Sequence, residues 1–304
     1  MPFPCQGVTV RMPQSSDKEF NGRWDISVPG QSRAWWLEVR GAGTAQASGS
    51  FVGAPGGQVD PINDLIVADG ELSFSFWRKY RGREDDPERA IWRARLVDGK
   101  LQGSMFRERQ TPVQWVGVRA PKITDLDDGS WREGQAVQLF NGKNLTGWKN
   151  TQSWEVRDGI LRNVGRARDI ATEARFWNFN LHVEYRVGEH SNSGIGLRGR
   201  YEVQIMDDFG RAIDGHSTGS VYSRILPSVN ASKRANEWQT FDIRLVGLTA
   251  TIVHNGQKII DKREIDGLTA IATDPNEAEP GPIVLQGDHG PVEFRSVVLT
   301  PLVR

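Results

Sequence analysis

The stretch "YEVQIMDDFG", residues 201–210, sets apolar and polar side chains in alternation, the period of a β-strand rather than a helix. A strand here points Glu202 and Gln204 to one face and Val203 and Ile205 to the other. A bulge at Ile205-Met206 would swing Asp207 back to the face of Glu202. Two carboxyls and a carboxamide on one surface are either solvated or gathered for chemistry, and the rest of the chain bears on which.

Working outward, the same period recurs along the chain, punctuated by "VADGELSF" (67–74), "LVDGKLQG" (96–103), "EVRDGILR" (155–162) and "IVHNGQKI" (252–259). Asp-Gly and Asn-Gly between β-branched or apolar residues are strong hairpin signals, because both turn residues must adopt positive φ. Patterns at helical spacing are scarce, and with 33 Gly and 15 Pro the class is all-β.

Composition excludes several roles. Lys+Arg and Asp+Glu both number 38, so no net field favours nucleic acid as a partner. No apolar run is long enough for a membrane-spanning helix. The lone cysteine, Cys5, rules out an internal disulfide and a thiolate zinc site. The start "MPFPCQGVTV" lacks a signal-peptide pattern, which fits a cytoplasmic protein, or a periplasmic or extracellular one if the chain is a mature fragment.

Two β domains are expected. After an N-terminal segment (1–19), residues 20–119 hold short runs from "GRWDISV" to "VQWVGVR", a meander able to close into an up-and-down barrel without edges. Gly22-Arg23-Trp24 and the late Arg119 resemble the lipocalin and avidin type of barrel, which implies Arg119 stacked on Trp24. Trp35, Trp77, Trp92 and Trp115 are expected in the barrel core, and no chemistry is assigned to this domain. Residues 120–134, polar with Pro and Gly, are expected to be a linker with little core crossing it, so that the domains should be separable. Residues 135–304 form the second domain and carry all five histidines.

In that domain "LHVEYRV" sets His182, Glu184 and Arg186 opposite Leu181, Val183, Tyr185 and Val187, and "GIGLRG" sets Arg198 beside glycines. The apolar faces suit a sandwich core. Gly194 and Gly196 weaken a strand unless something approaches closely, and the loop "DDFGRAIDGHSTGSVYS" has the Asp, His and Gly content of a cleft wall. His182 and His254 are expected on strand surfaces, and Trp148, Trp154 and Trp238 in the core. Asp207, Asp208, Asp214 and His216 match no standard metal loop, so no metal or cofactor is assigned.

Glu202-x-Gln204-x-x-Asp207 is similar to the E-x-D-x-x-E signature of laminarinase-type jelly-roll glycosidases, with Gln for the middle Asp and Asp for the last Glu. More specifically, "LFNGKNLTGWK" (139–149), "WEVRDGIL" (154–161), "NSGIGLRG" (192–199), "YEVQIMD" (201–207), "EWQTFDIRL" (237–245) and "GPIVLQGDHGPVEFRSV" (281–297) resemble the 3-keto-disaccharide hydrolase family. The resemblance covers residues 135–304 and implies a concanavalin A-like jelly-roll β-sandwich acting on glycosides oxidised to a ketone at C3.

A C3 ketone acidifies the C2 proton. Its removal expels the C1 substituent, and water adds to the enone. Such a site needs a base, a donor for the enolate oxygen and an acid for the leaving group. Glu202 or Asp207 suits the base, Arg198 the oxyanion donor and His289 the acid, while Glu184, Gln204, His216 and Tyr222 would hold an oligosaccharide or glycoside substrate. The alternatives are a non-catalytic carbohydrate-binding module or a conventional retaining glycosidase, whose paired carboxyls would stand about 5 Å apart.

Overall fold

The computed structural model describes residues 16–53, 57–80, 83–108, 110–164 and 167–304; Cys5 and most of the N-terminal segment lie outside them. Two-residue hairpins form at the Asp-Gly or Asn-Gly pair of each of the four motifs quoted above. Asp69, Asp98, Asp158 and Asn255 have φ of 53, 51, 53 and 48°, each followed by a positive-φ glycine, and the flanking residues pair directly across each turn. The turn chemistry thus sets the strand registers.

The N-terminal sheet runs, in spatial order, Asp60–Ile62, Ser48–Val52, Trp35–Arg40, Gly22–Ser27, Val113–Arg119, Lys100–Phe106, Arg83–Val97, Glu71–Tyr80 and Ile66–Ala68. This meander is joined to itself by the antiparallel pairing of its first and last long strands, Trp24 opposite Arg119. It is not fully edge-free: among the described residues no ladder joins Asp60–Ile62 to Ile66–Ala68. Both edge strands have only three residues, which blunts them. Arg119 lies over the Trp24 ring at 4.0 Å, as the barrel resemblance implied.

Phe20, Trp24, Trp35, Phe51, Phe74, Trp92 and Trp115 fill the interior. Phe74 and Trp92 stack at 5.3 Å, and Phe51 meets Trp92 at 5.3 Å. Trp77, expected in this core, instead lies 70% exposed, because it alternates outward from Phe74 and Phe76 on the same strand.

The second part is a sandwich. Its large sheet runs Trp154–Arg157, Ile160–Asn163, Val292–Val303, Phe179–Val187, Gln239–Val246, Thr249–His254 and Gln257–Glu264, with Arg132–Glu133 and Val137–Phe140 also paired to Val292–Val303. The small sheet runs Trp148–Lys149, Ile170–Thr172, Val284–Leu285, Asn192–Leu197 and Tyr201–Met206. Leu181, Val183, Tyr185 and Val187 from one sheet and Ile195, Leu197, Val203 and Ile205 from the other share one core. Trp148 and Trp154 join it, while Trp238 is half-buried under the guanidinium groups of Arg186 and Arg295. His254 is fully buried rather than on a strand surface. Its Nε2 lies 3.0 Å from the Tyr185 hydroxyl, its ring stacks on Phe241, and burial pulls its pKa down to about 3, so it is neutral.

The stretch expected as a linker is tied down along the second domain. Asp125 accepts from Trp177 Nε1 and Asn178 Nδ2 at 2.7 and 2.8 Å, and Asp127 takes the Arg244 guanidinium at 2.8–3.2 Å. The two parts also share core, contrary to the sequence expectation. Ala34, Trp36 and Val52, on the outside of the barrel, belong to the sandwich core cluster. Arg224 stacks on Trp36 at 4.1 Å. A Cβ on Gly267 would stand 2.3 Å from Trp36 Nε1, so this close approach requires glycine.

Beside Trp36 in register lies Asp25. It is wholly buried, and among the described residues no hydrogen-bonded donor is placed on its carboxyl. Burial first, and the Glu277 carboxyl second, push Asp25 up to about 9, against the pull of Arg200 and Arg224. A proton on this acid satisfies the pair where two carboxylates would repel.

Candidate active site

The strand Tyr201–Met206 pairs with Asn192–Leu197 in unbroken register, Gln204 opposite Gly194 and Glu202 opposite Gly196. Its odd-numbered residues therefore enter the core, and Glu202 and Gln204 share the opposite face, as the alternation predicts. The expected bulge is absent. Asp207 consequently does not return to the Glu202 face. It ends the strand and accepts the His190 N–H at 2.9 Å.

Glu202 is 4% exposed. It lies over Gly194, where a Cβ would fall 2.4 Å from Glu202 Oε1. Gly196 serves packing instead, since a Cβ there would press on Val284 at 2.9 Å. Among the described residues no donor bonds the Glu202 carboxyl. Burial pushes it up to about 7, opposed first by the charge of Arg33, supported by Asp169, and opposed again by His289. A buried carboxyl that ionises near neutrality and has no structural partner is suited to take or give a proton.

The chain wraps back over the same strand. Tyr222 N–H bonds the Glu202 carbonyl at 2.9 Å, and Gly219 N–H bonds that of Gln204 at 2.8 Å. Those bonds set Tyr222 beside Glu202, whose charge, after burial, raises the phenol's pKa and keeps its O–H intact. His216 meets the Tyr222 ring edge-on at 5.0 Å. From the other side comes His289, in short hydrogen-bond contact with Asp288. That bond is the main cause of its raised pKa; burial opposes it, and the charges of Glu202 and Asp169 add to it. Asp169, ahead of the strand Ile170–Thr172, accepts the Gly287 N–H at 3.1 Å and so steadies the loop that carries Asp288 and His289. Its other oxygen receives Arg33 Nη2 at 2.5 Å.

Of the residues singled out in sequence, Glu202, Gln204, Tyr222, His216 and His289 are brought to this face. Three are not. Arg198 sits in the hairpin turn at φ 52°, fully buried. It donates to the Trp177 carbonyl at 2.6 Å and Asn178 Oδ1 at 3.1 Å, and it stacks on Trp177. Glu184 lies on the large sheet, on the face opposite the core, paired with Arg295 at 2.7 Å. Asp207 was placed above. Asp208 is spent on Thr218 and Ser232 at 2.7–2.8 Å, so the acids of this loop do not converge, and among the described residues no group of three or more His, Cys, Asp or Glu is set to hold a metal ion.

Sequence reading missed Arg33, Asp169 and Asp288. Asp288 adjoins His289 in "QGDHG", a signal that was present. Arg33 had none, because its partner lies 136 positions away. A 540 Å³ depression between Arg162, Arg186 and Glu293 on the large sheet shares no residue with this cluster.

The molecule is thus a jelly-roll sandwich that presents a buried acid, a tyrosine and an Asp-His pair on one sheet face. Residues 135–300 match the 3-keto-alpha-glucoside-1,2-lyase-like domain, and the chain belongs to that family. A candidate glycosyl hydrolase from Parabacteroides distasonis is 29% identical, with 60% of this chain and 91% of that one covered and a TM-score of 0.50. Two further candidate glycosyl hydrolases from that organism are 24% and 21% identical. They cover 55% of this chain and 100% and 94% of their own, each with a TM-score of 0.47. No curated protein matches. The family match leaves the barrel uncovered.

Proposed function

We propose that this protein cleaves 3-keto-glycosides by abstracting the C2 proton, eliminating the C1 substituent and hydrating the enone. The observation that carries the reading is Glu202: buried, without a structural partner, poised near neutral pH and flanked by Tyr222 and His289. Glu202 takes the C2 proton as general base. Tyr222, a phenol kept protonated, donates to the enolate oxygen, the part first given to Arg198. His289, held protonated by Asp288, delivers a proton to the departing oxygen. Gln204 and His216 border the sugar.

The face geometry weighs against a retaining glycosidase built on Glu202 and Asp207, since these acids leave the strand in different directions. Turnover of an ordinary disaccharide beside its 3-keto form tests the substrate class. Run in D₂O, elimination and hydration place deuterium at C2 of the released 3-keto sugar at early times. Direct displacement at C1 leaves that position unlabelled and overturns the mechanism. Equal turnover of both substrates overturns the substrate class.

A further inference from the structure

The proposed chemistry uses residues of the sandwich alone, yet the barrel borders its site on two sides. Arg33 lies in the loop between the strands Gly22–Ser27 and Trp35–Arg40. Its guanidinium leaves the barrel and donates to the Ile271 carbonyl at 2.6 Å and to Asp169 Oδ2 at 2.5 Å. The second oxygen of Asp169 receives the Gly287 N–H at 3.1 Å, directly before Asp288 and His289. One carboxylate therefore ties the barrel to the histidine loop. The next barrel residue, Ala34, donates its N–H to the Ala272 carbonyl at 2.9 Å, which fixes where Arg33 emerges. On the far side Val59 N–H bonds Ser223 Oγ at 2.9 Å, one residue from Tyr222.

We propose that Arg33 is a positioning residue of the active site, orienting Asp169 and the Gly287–His289 loop against Glu202, so that the barrel is a working wall of the sugar site rather than an appendage. The inference rests on the proposed function for its kinetic consequence but not for its physical one. Arg33 is also the foremost charge acting to lower Glu202, while Asp169 acts to raise it. A bridge that merely glued two domains together would loosen the protein when cut from either end. A pair held against Glu202 has a sharper signature: cutting it from opposite ends moves Glu202 in opposite directions, because the two charges act on it with opposite sign.

The test uses the full chain as wild type, Arg33→Met, Arg33→Lys and Asp169→Asn, with thermal unfolding of each. Turnover of a 3-keto-glycoside is followed against pH. The acid limb, where Glu202 ionises, should move up by about one unit in Arg33→Met, cutting turnover about tenfold on that limb. Arg33→Lys, which keeps the charge, should hold the limb near its wild-type place. Asp169→Asn should move it down. A limb fixed in all three variants, with Tm lowered alike, would reduce Arg33 to a structural bridge and overturn the proposal. If the wild type cleaves neither keto nor ordinary glycoside, only the functional reading fails. The carboxyl ¹³C titration of Glu202, assigned with Glu202→Gln, then decides Arg33 by the same opposite shifts, or by their absence.

Discussion

Glu202 lies across Gly194, its Oε1 in space that any other residue's Cβ would approach to 2.4 Å. The absent side chain seats the acid flat on the sheet instead of letting it stand into solvent. Gly194→Ala should therefore displace Glu202 while sparing the fold, because the clash falls on the Glu202 side chain, with Oε1, Cγ and Cδ at 2.4, 2.9 and 3.1 Å, and not on backbone. A misplacement near 1 Å costs roughly 10²-fold in turnover. Kinetics and thermal unfolding of the variant check this, and a loss of stability without loss of rate would contradict it.

Glu202→Gln should lower turnover by about 10²-fold or more and raise stability at pH 8. The sign follows from the folded-state pKa, about 7 against an ordinary 4.5. Between those values the folded chain holds a proton that the unfolded chain has lost, so stability falls as pH rises through that window. The variant should lack this decline. Denaturant melts at pH 5 and pH 8 give the comparison.

The same linkage applies to Asp25 over a wider window, from an ordinary 3.8 to about 9. The contact between barrel and sandwich should weaken across it as pH rises. Asp25→Asn, which needs no proton beside Glu277, should gain in Tm over wild type increasingly between pH 5 and pH 9. Equal Tm–pH slopes in the two proteins would count against a protonated Asp25.

Asp207→Asn and Arg198→Met should separate structure from chemistry. Asp207 holds a loop N–H on the far side of the strand end, so turnover should stay within a few-fold of wild type. Arg198→Met loses two hydrogen bonds and a stacking contact in a buried turn. About 1–3 kcal/mol of stability should go with them, with kcat retained in the folded fraction. A 10²-fold kcat loss in stable Arg198→Met would return it to the site.

Much of this was legible in the sequence, for local reasons. Asp69, Asp98, Asp158 and Asn255 turn where a following glycine permits positive φ, and alternation put Glu202 and Gln204 on one face. Alternation assigns a face but not a sheet, which is why Glu184 was grouped with Glu202 although it stands on the other sheet. It also fails at strand ends: Asp207 and Arg198 each leave a strand where the chain turns, and the turn decides their direction. His254 and Trp77 broke residue-type averages, one drawn inward to the Tyr185 hydroxyl and the other left outside a filled barrel. Arg33 depends on how two separate sheets dock, and no periodicity encodes that.

The anchored connector has a kinetic consequence. Only residues 120–124 run between Arg119, at the end of the last barrel strand, and Asp125, fastened to Trp177 and Asn178. Five residues reach at most about 18 Å fully extended. The barrel is thus leashed, and Arg33 re-encounters Asp169 at an effective concentration on the order of millimolar. After any local loosening of this contact the leash returns Arg33 to Asp169 without a search.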